Sequence, residues 1–314
     1  MKTIQIPETE LSLTPIGLGC AEAGMHWDTP DSYPFFERFL ELGGNLIDTA
    51  RIYNDWATEE KGRSERVIGD WIRHRGHHED MILLTKGGHP LMSTMHNSRV
   101  TRDEMRIDLE LSLKALGVDC IDMYCYHRDN TDLPVGELID IMETFVREGK
   151  IRFYGCSNWS TARMRAADRY AAEHGCRGFS FNEALFNFGC AYMKPMADDT
   201  LQTADAEMLC YHKENPKNLL IPYTSNCSGF FHKLLAGKEG AKESPYYTPE
   251  NIKRAEIVKQ ITEKYNTGIS QVLLGYLMTH DPVTLPLIGV SSIPHMEEAM
   301  QALEIPFTAS DYTI

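Results

Sequence analysis

The 314-residue sequence contains no run near the ~18 apolar residues of a membrane helix, so no membrane-spanning role is expected. Its opening residues, Met1-Lys2-Thr3-Ile4-Gln5-Ile6-Pro7, carry no apolar signal core, and a cytoplasmic protein is expected. Positive charge is short: 31 Lys and Arg face 45 Asp and Glu, a formal net charge of -14. Phosphate backbones need a basic face, so no nucleic-acid partner is expected. None of the eight cysteines stands in a Cys-x-x-Cys pair. Several, such as Cys125 and Cys156, lie in apolar strand-like runs, which reads as buried free thiols in a reducing compartment. The Gly-x-Gly-x-x-Gly fingerprint of the doubly wound dinucleotide fold is also missing.

What is present is a repeated event at strand ends. The apolar pair Leu46-Ile47 ends on Asp48, with Tyr53 five residues on. Met81-Ile82-Leu83-Leu84-Thr85 ends on Lys86. Ile121-Asp122-Met123-Tyr124-Cys125-Tyr126 ends on His127. Each has a plain structural reading when taken alone: a turn aspartate, a packing tyrosine, a buried ion pair, a satisfied core histidine. Their recurrence at one end of successive strands is the informative observation.

Taken in order, residues 2–13 read as a hairpin: Lys2 to Ile6, a polar turn at 8–10, then Leu11 to Leu13. Ile16–Cys20 reads as a strand. A helix follows, capped by Asp31 or Ser32, with Pro34 early and Gly43-Gly44 at its end. Helix 64–76, strand 81–85 and a loop over 87–100 come next. Thr101 and Glu104 make a capping box for a helix closed by Gly117. Strand 121–126, helix 135–148, strand 151–156, helix 160–174 and a strand near 178–182 continue the alternation. Strand 219–223 and a long loop over 224–248 precede a helix that Thr248 caps and Pro249 opens. Helix 270–278, strand 284–288 and helix 294–303 complete the chain. Eight strand–helix units without a linker imply one domain over 1–314, a (β/α)8 TIM barrel with an N-terminal β-hairpin. Chemistry in such a barrel sits at the carboxyl ends of the strands.

Three segments then carry a resemblance. Gly44-x-x-x-Asp48-Thr49-Ala50-x-x-Tyr53 is the first. Ser112-Leu113-Lys114-Ala115-Leu116-Gly117-Val118-Asp119-Cys120-Ile121-Asp122-Met123-Tyr124, running into His127, is the second. Gly149-Lys150-Ile151-Arg152-x-x-Gly155-Cys156-Ser157-Asn158 is the third. With the Pro286-Leu287-Ile288-Gly289 region they span nearly the whole chain, which resembles the aldo-keto reductases. The resemblance implies reduction of an aldehyde or ketone to an alcohol with NADPH, NADH being the alternative. It assigns Tyr53 as proton donor, Lys86 as the ammonium that lowers the phenol's pKa, Asp48 as the holder of Lys86, and His127 as the group orienting the carbonyl oxygen.

It also implies a cofactor site. Ser157 and Asn158 match the pair that hydrogen-bonds the nicotinamide carboxamide, and Glu183 stands where relatives usually have Gln. Glu accepts from an amide, but donates only when protonated. Tyr223 matches the aromatic under the nicotinamide ring. Thr224, Ser225, Asn226 and Gly229 match the pyrophosphate loop. Ile288, Gly289, Ser291, His295 and Glu298 fall in the adenosine region, with His295 where relatives preferring NADPH often carry Arg. Trp27 and Trp56, after the first two barrel strands, are candidates for the substrate pocket with His127. His74, His77 and His78 read as a solvated turn, and no metal site is expected. The expected partner is a small carbonyl substrate, with the oligomeric state open. The alternative is a cofactor-binding sensor or regulatory subunit, of the kind the family supplies as potassium-channel β-subunits.

Overall fold

The computed structural model describes residues 3–57 and 59–313, so Lys2 and position 58 lie outside the described residues. A two-stranded antiparallel hairpin, β1 (Ile4–Gln5) and β2 (Ser12–Leu13), opens the chain. Eight parallel strands follow: β3 (Gly17–Gly19), β4 (Leu46–Asp48), β5 (Ile82–Gly87), β6 (Ile121–Tyr126), β7 (Ile151–Ser157), β8 (Phe181–Leu185), β9 (Leu219–Tyr223) and β10 (Leu287–Ile288). They pair in the order β10-β3-β4-β5-β6-β7-β8-β9. A bridge from Leu220 to Thr284, with the Leu285 amide donating to Leu220 O at 3.0 Å, joins β9 to the segment leading into β10 and closes the ring.

Helices alternate with the strands: α1 (Tyr33–Glu41), α2 (Arg63–Arg75), α3 (Arg102–Leu116), α4 (Val135–Arg147), α5 (Thr161–His174), α6 (Ala206–Glu214), α7 (Phe230–Leu235), α8 (Pro249–Tyr265), α9 (Ile269–Met278) and α10 (Ile293–Met300). The strands are short apolar runs buried on both faces, as a ring of helices requires. Helical spacing on α4 sends Leu138, Ile139, Ile141, Met142 and Phe145 inward. Inside the barrel, Leu46, Leu84, Met123, Phe181 and Ile221 form one cluster with Ile6, Leu11 and Leu13 of the hairpin segment. The hairpin therefore plugs the amino-terminal end, and the open end is the one where the strands finish.

Several local expectations are corrected. Neither Asp31 nor Ser32 caps α1: Ser32 is already helical in conformation and its buried hydroxyl has no partner. Thr101 accepts from the Glu104 amide, but the Glu104 carboxylate turns to Arg99 rather than closing the box. The strand expected near 178–182 begins at Phe181, because Gly178 takes a φ of +79° that breaks extended backbone. The shift puts Glu183 inside β8. Helix α6, capped by Asp205, lies between the strands expected near 178–182 and at 219–223, where no helix was expected, and α7 lies within the expected loop 224–248. The last strand shortens to two residues.

Where α2 crosses α3, Gly69 lets the backbones meet: a Cβ there would stand 2.0 Å from Ala115 O. Gly69→Val is expected to destabilise the fold by about 1–3 kcal/mol or more through overpacking. A urea midpoint lower than wild type checks this, and an unchanged midpoint contradicts it.

Candidate active site

A cavity of about 760 Å³ lies across the carboxyl ends of the strands. Its floor draws on four strands, β4, β5, β6 and β8. Asp48 is the last residue of β4, and its register beside Leu84 of β5 brings Lys86 within reach. Lys86 Nζ donates to Asp48 Oδ1, to Thr49 O at 2.7 Å and to the Tyr53 hydroxyl at 3.2 Å. Glu183 Oε2 stands 3.3 Å from the same nitrogen. His127, just past β6, meets the Tyr53 ring edge-on with centroids 5.9 Å apart. Five side chains from distant parts of the sequence therefore share one floor.

Their electrostatics differ in one respect from the expectation. Burial opposes the Lys86 charge, but the Asp48 carboxylate, foremost among its neighbours, outweighs it and holds the ammonium's pKa well above the usual lysine value. Burial is also the largest influence on Tyr53. Lys86 pulls its pKa down as expected, but burial and the Asp48 charge outweigh it, and the net shift is upward. The phenol is thus held protonated. Burial, then neighbouring His89, Arg128 and Lys86, drive the His127 pKa well below 6.5, so its imidazole is neutral. His89 packs edge-on against it at 4.7 Å and fixes its own ring by bonding Pro90 O at 2.7 Å.

The cavity wall carries every residue expected at a cofactor site, from Ser157, Asn158, Glu183 and Tyr223 to Ser291, His295 and Glu298. Asn158, with a φ of +60°, is engaged on both sides. It donates to His127 O at 3.2 Å and to Ser157 Oγ at 3.0 Å, and accepts from the Tyr223 hydroxyl at 2.7 Å. Thr224 has a φ of +58°, which is strained for a β-branched residue, and Cys227, Ser228 and Gly229 are also left-handed. Ser228 and Gly229 line the cavity at this tightly wound turn. Buried polar atoms on the wall lack protein partners: Glu183 Oε1, His127 Nδ1, Asn226 Oδ1 and His232 Nδ1. A long cleft with spare donors and acceptors along its length suits an extended polar ligand such as a dinucleotide.

The substrate-side aromatics divide. Trp27 is not on the wall: it is buried, stacked on Phe35 at 4.9 Å and edge-on to Phe36, because its loop folds back over α1. Its neighbour His26 reaches the cavity instead, paired with Glu22. Trp56 is about half exposed on the rim, edge-on to Tyr53 at 6.2 Å. Arg128 and Asp129 do not pair with each other. Arg128 takes Asp198 at 2.9 Å, and Asp129 takes Arg163 at 2.8 Å. Sequence reasoning missed His232 and Ser270, whose side chains meet at 3.0 Å on the wall. A helix read through 230–235 would have exposed the first. Away from the cavity, His74 stacks on Tyr33, while His77 faces Glu79 and Asp80.

An eight-stranded barrel with an ion pair, a phenol and an imidazole on the floor of a long cleft at its strand ends defines a barrel enzyme. Comparison with known proteins gives its family: the aldo/keto reductase family model matches residues 15–314, and the chain belongs to that family of oxidoreductases. It is 24% identical to an aryl-alcohol dehydrogenase of Pestalotiopsis microspora over 97% of this chain and 78% of that protein. It is 22% identical to norsolorinic acid reductase B of Dothistroma septosporum, over 97% of this chain and 78% of that protein. An aryl-alcohol dehydrogenase [NADP(+)] of Phanerodontia chrysosporium is 24% identical over 95% of this chain and 80% of its own length. Among the described residues no helix is long and apolar enough to cross a membrane.

Proposed function

We propose that this chain reduces an aldehyde or ketone to an alcohol using NADPH or NADH, with Tyr53 donating the proton. The observation that carries the reading is the convergence of the protonated Tyr53 phenol, Lys86 and neutral His127 on the floor of the cleft. When bound, a reduced nicotinamide supplies the hydride. The protein's part is to hold the carbonyl and to move a proton. Neutral His127 offers an N–H to the carbonyl oxygen, and Tyr53 delivers its proton there as negative charge develops. Lys86 steadies the phenolate that remains, and Asp48 keeps Lys86 charged. Tyr223, tied to Asn158, forms a wall for a planar ring. The relatives named for aryl alcohols make aryl aldehydes and ketones the first compounds to test.

The test is loss of NADPH or NADH absorbance with a panel of aryl and aliphatic carbonyls. Tight binding of both nucleotides without turnover of any carbonyl would favour a sensor over an enzyme.

The adenosine end bears on which nucleotide is used. Among the described residues lining the cavity, the Lys and Arg side chains are Lys86 and Arg128, both at the catalytic end. By resemblance, His295, hydrogen-bonded to Ser291 at 2.9 Å, is the residue that would meet a 2′-phosphate. A charge-assisted fork there contributes more than a single imidazole. His295→Arg is expected to tighten NADPH about tenfold, roughly 1.4 kcal/mol, and to leave NADH nearly unchanged. Fluorescence titration with each nucleotide checks it, and equal tightening of both contradicts it.

A further inference from the structure

The floor of the cleft holds one carboxylate more than its ammonium can serve. Lys86 has three N–H donors. They go to Asp48 Oδ1, Thr49 O and the Tyr53 hydroxyl. Glu183 Oε2 crowds the same nitrogen at 3.3 Å as a second carboxyl oxygen beside one ammonium. Its other oxygen, Oε1, is buried, faces the cleft and has no partner. The residue is 1% exposed, so water does not hydrate its charge. Its carboxyl lies within hydrogen-bonding reach of the Asp48 carboxyl. Two carboxyl groups make such a contact when a proton lies between them, and two bare carboxylates there would repel.

From this geometry we infer that Glu183 is a neutral carboxylic acid hydrogen-bonded to ionised Asp48, and that it is the store from which Tyr53 is reprotonated after each carbonyl is reduced. The inference rests on the reductase reading above. The proton path balances. The substrate oxygen takes the Tyr53 proton, and the phenolate takes one from Lys86. The Lys86 amine takes one from Glu183, and the Glu183 carboxylate regains it from water entering the cleft that it lines. One proton enters from solvent for each alcohol formed.

The groups facing Glu183 agree with this assignment. Lys86 on β5 and Asp48 on β4 form the ion pair. The thiols of Cys125 on β6 and Cys156 on β7, and the phenol of Tyr223 on β9, are pushed up by burial and stay neutral. Burial, and then Asp48, likewise raise Glu183 well above the carboxylate range. With Glu183 protonated the floor is electroneutral. A Gln at this position keeps the hydrogen bond to Asp48 but cannot give up a proton. Glu183 therefore acts through Lys86, as a positioning and proton-supplying residue.

Two measurements test the inference. The first needs no activity: the infrared carbonyl band of protonated carboxyl groups in the free protein at neutral pH. Wild type should show a component that Glu183→Gln lacks. Glu65, whose buried carboxyl is pushed up to about 7, contributes its own component to both proteins and serves as the internal reference. Identical bands in the two proteins would overturn the neutral Glu183. The second is the pH profile of kcat. Wild-type turnover should fall as rising pH empties the store, and Glu183→Gln, which has no store to empty, should lose that limb and turn over at least about tenfold more slowly than wild type at low pH. Glu183→Asp, which restores an acid, should bring the limb back toward wild type. A limb that stays in place in Glu183→Gln would overturn the proton store even with a neutral Glu183. Absence of any wild-type carbonyl turnover would instead sink the reductase reading, while the infrared result would still stand.

Discussion

Tyr53→Phe should abolish carbonyl reduction while leaving nucleotide binding intact. The substitution removes one oxygen and keeps the ring. The edge contacts to His127 and Trp56 and the ring's position 4.9 Å from Lys86 Nζ therefore remain. What disappears is the only phenol within hydrogen-bonding distance of Lys86 among the described residues. General acid catalysis is worth roughly 10²–10⁴-fold, so kcat should drop by that range. Nucleotide affinity, read by fluorescence, should stay within a factor of about two, because the cofactor-side residues are untouched. Unchanged turnover would remove Tyr53 from the donor role.

Lys86→Met should cost both activity and stability. Methionine fills similar volume but leaves Asp48 and the Thr49 carbonyl in a dry site without their donor. Removing one partner of a buried ion pair costs about 3–5 kcal/mol. The pH dependence gives the loss a signature. Without the ammonium, burial raises the folded-state pKa of Asp48 further than in wild type. A carboxyl whose pKa is raised by folding is no burden below its unfolded value and becomes one as pH climbs past it. The deficit against wild type should therefore be largest near neutrality and should shrink as pH falls toward 4, the ordinary aspartate value. Urea unfolding of both proteins at several pH values reads this directly. A constant deficit across that range would show that Asp48 is not the group left exposed to the loss.

The catalytic floor was legible because strand ends in a barrel are short and sharply bounded. Leu46-Ile47 reads as a buried strand with Asp48 and Tyr53 at its exit, a weak signal alone that gained weight by recurring. The same held for Lys86 and His127. The wall was legible through motif resemblance, but its charge balance was not. The Lys86 ammonium implied a lowered phenol pKa, and only the enclosure of the site, β8 included, shows that burial and the Asp48 charge reverse the sign. That strand was misplaced because Gly178 reads in sequence like a strand residue, while its φ of +79° is set by tertiary context. Helix α6 escaped notice because its apolar face is only Met208, Tyr211 and the buried His212, too few to show a period. Trp27 was misassigned for a different reason. An aromatic just after a barrel strand can turn inward to the cleft or backward onto a helix, and Phe35 and Phe36 decide it for the helix.

The plug at the other end of the barrel has a kinetic consequence. With Ile6, Leu11 and Leu13 sealing the amino-terminal side, everything that reacts here must arrive and depart through one doorway. Two reactants sharing a single doorway form a queue, and whichever lies deeper is the last to leave. Product-inhibition patterns in this enzyme should therefore be those of an ordered exchange rather than of independent sites.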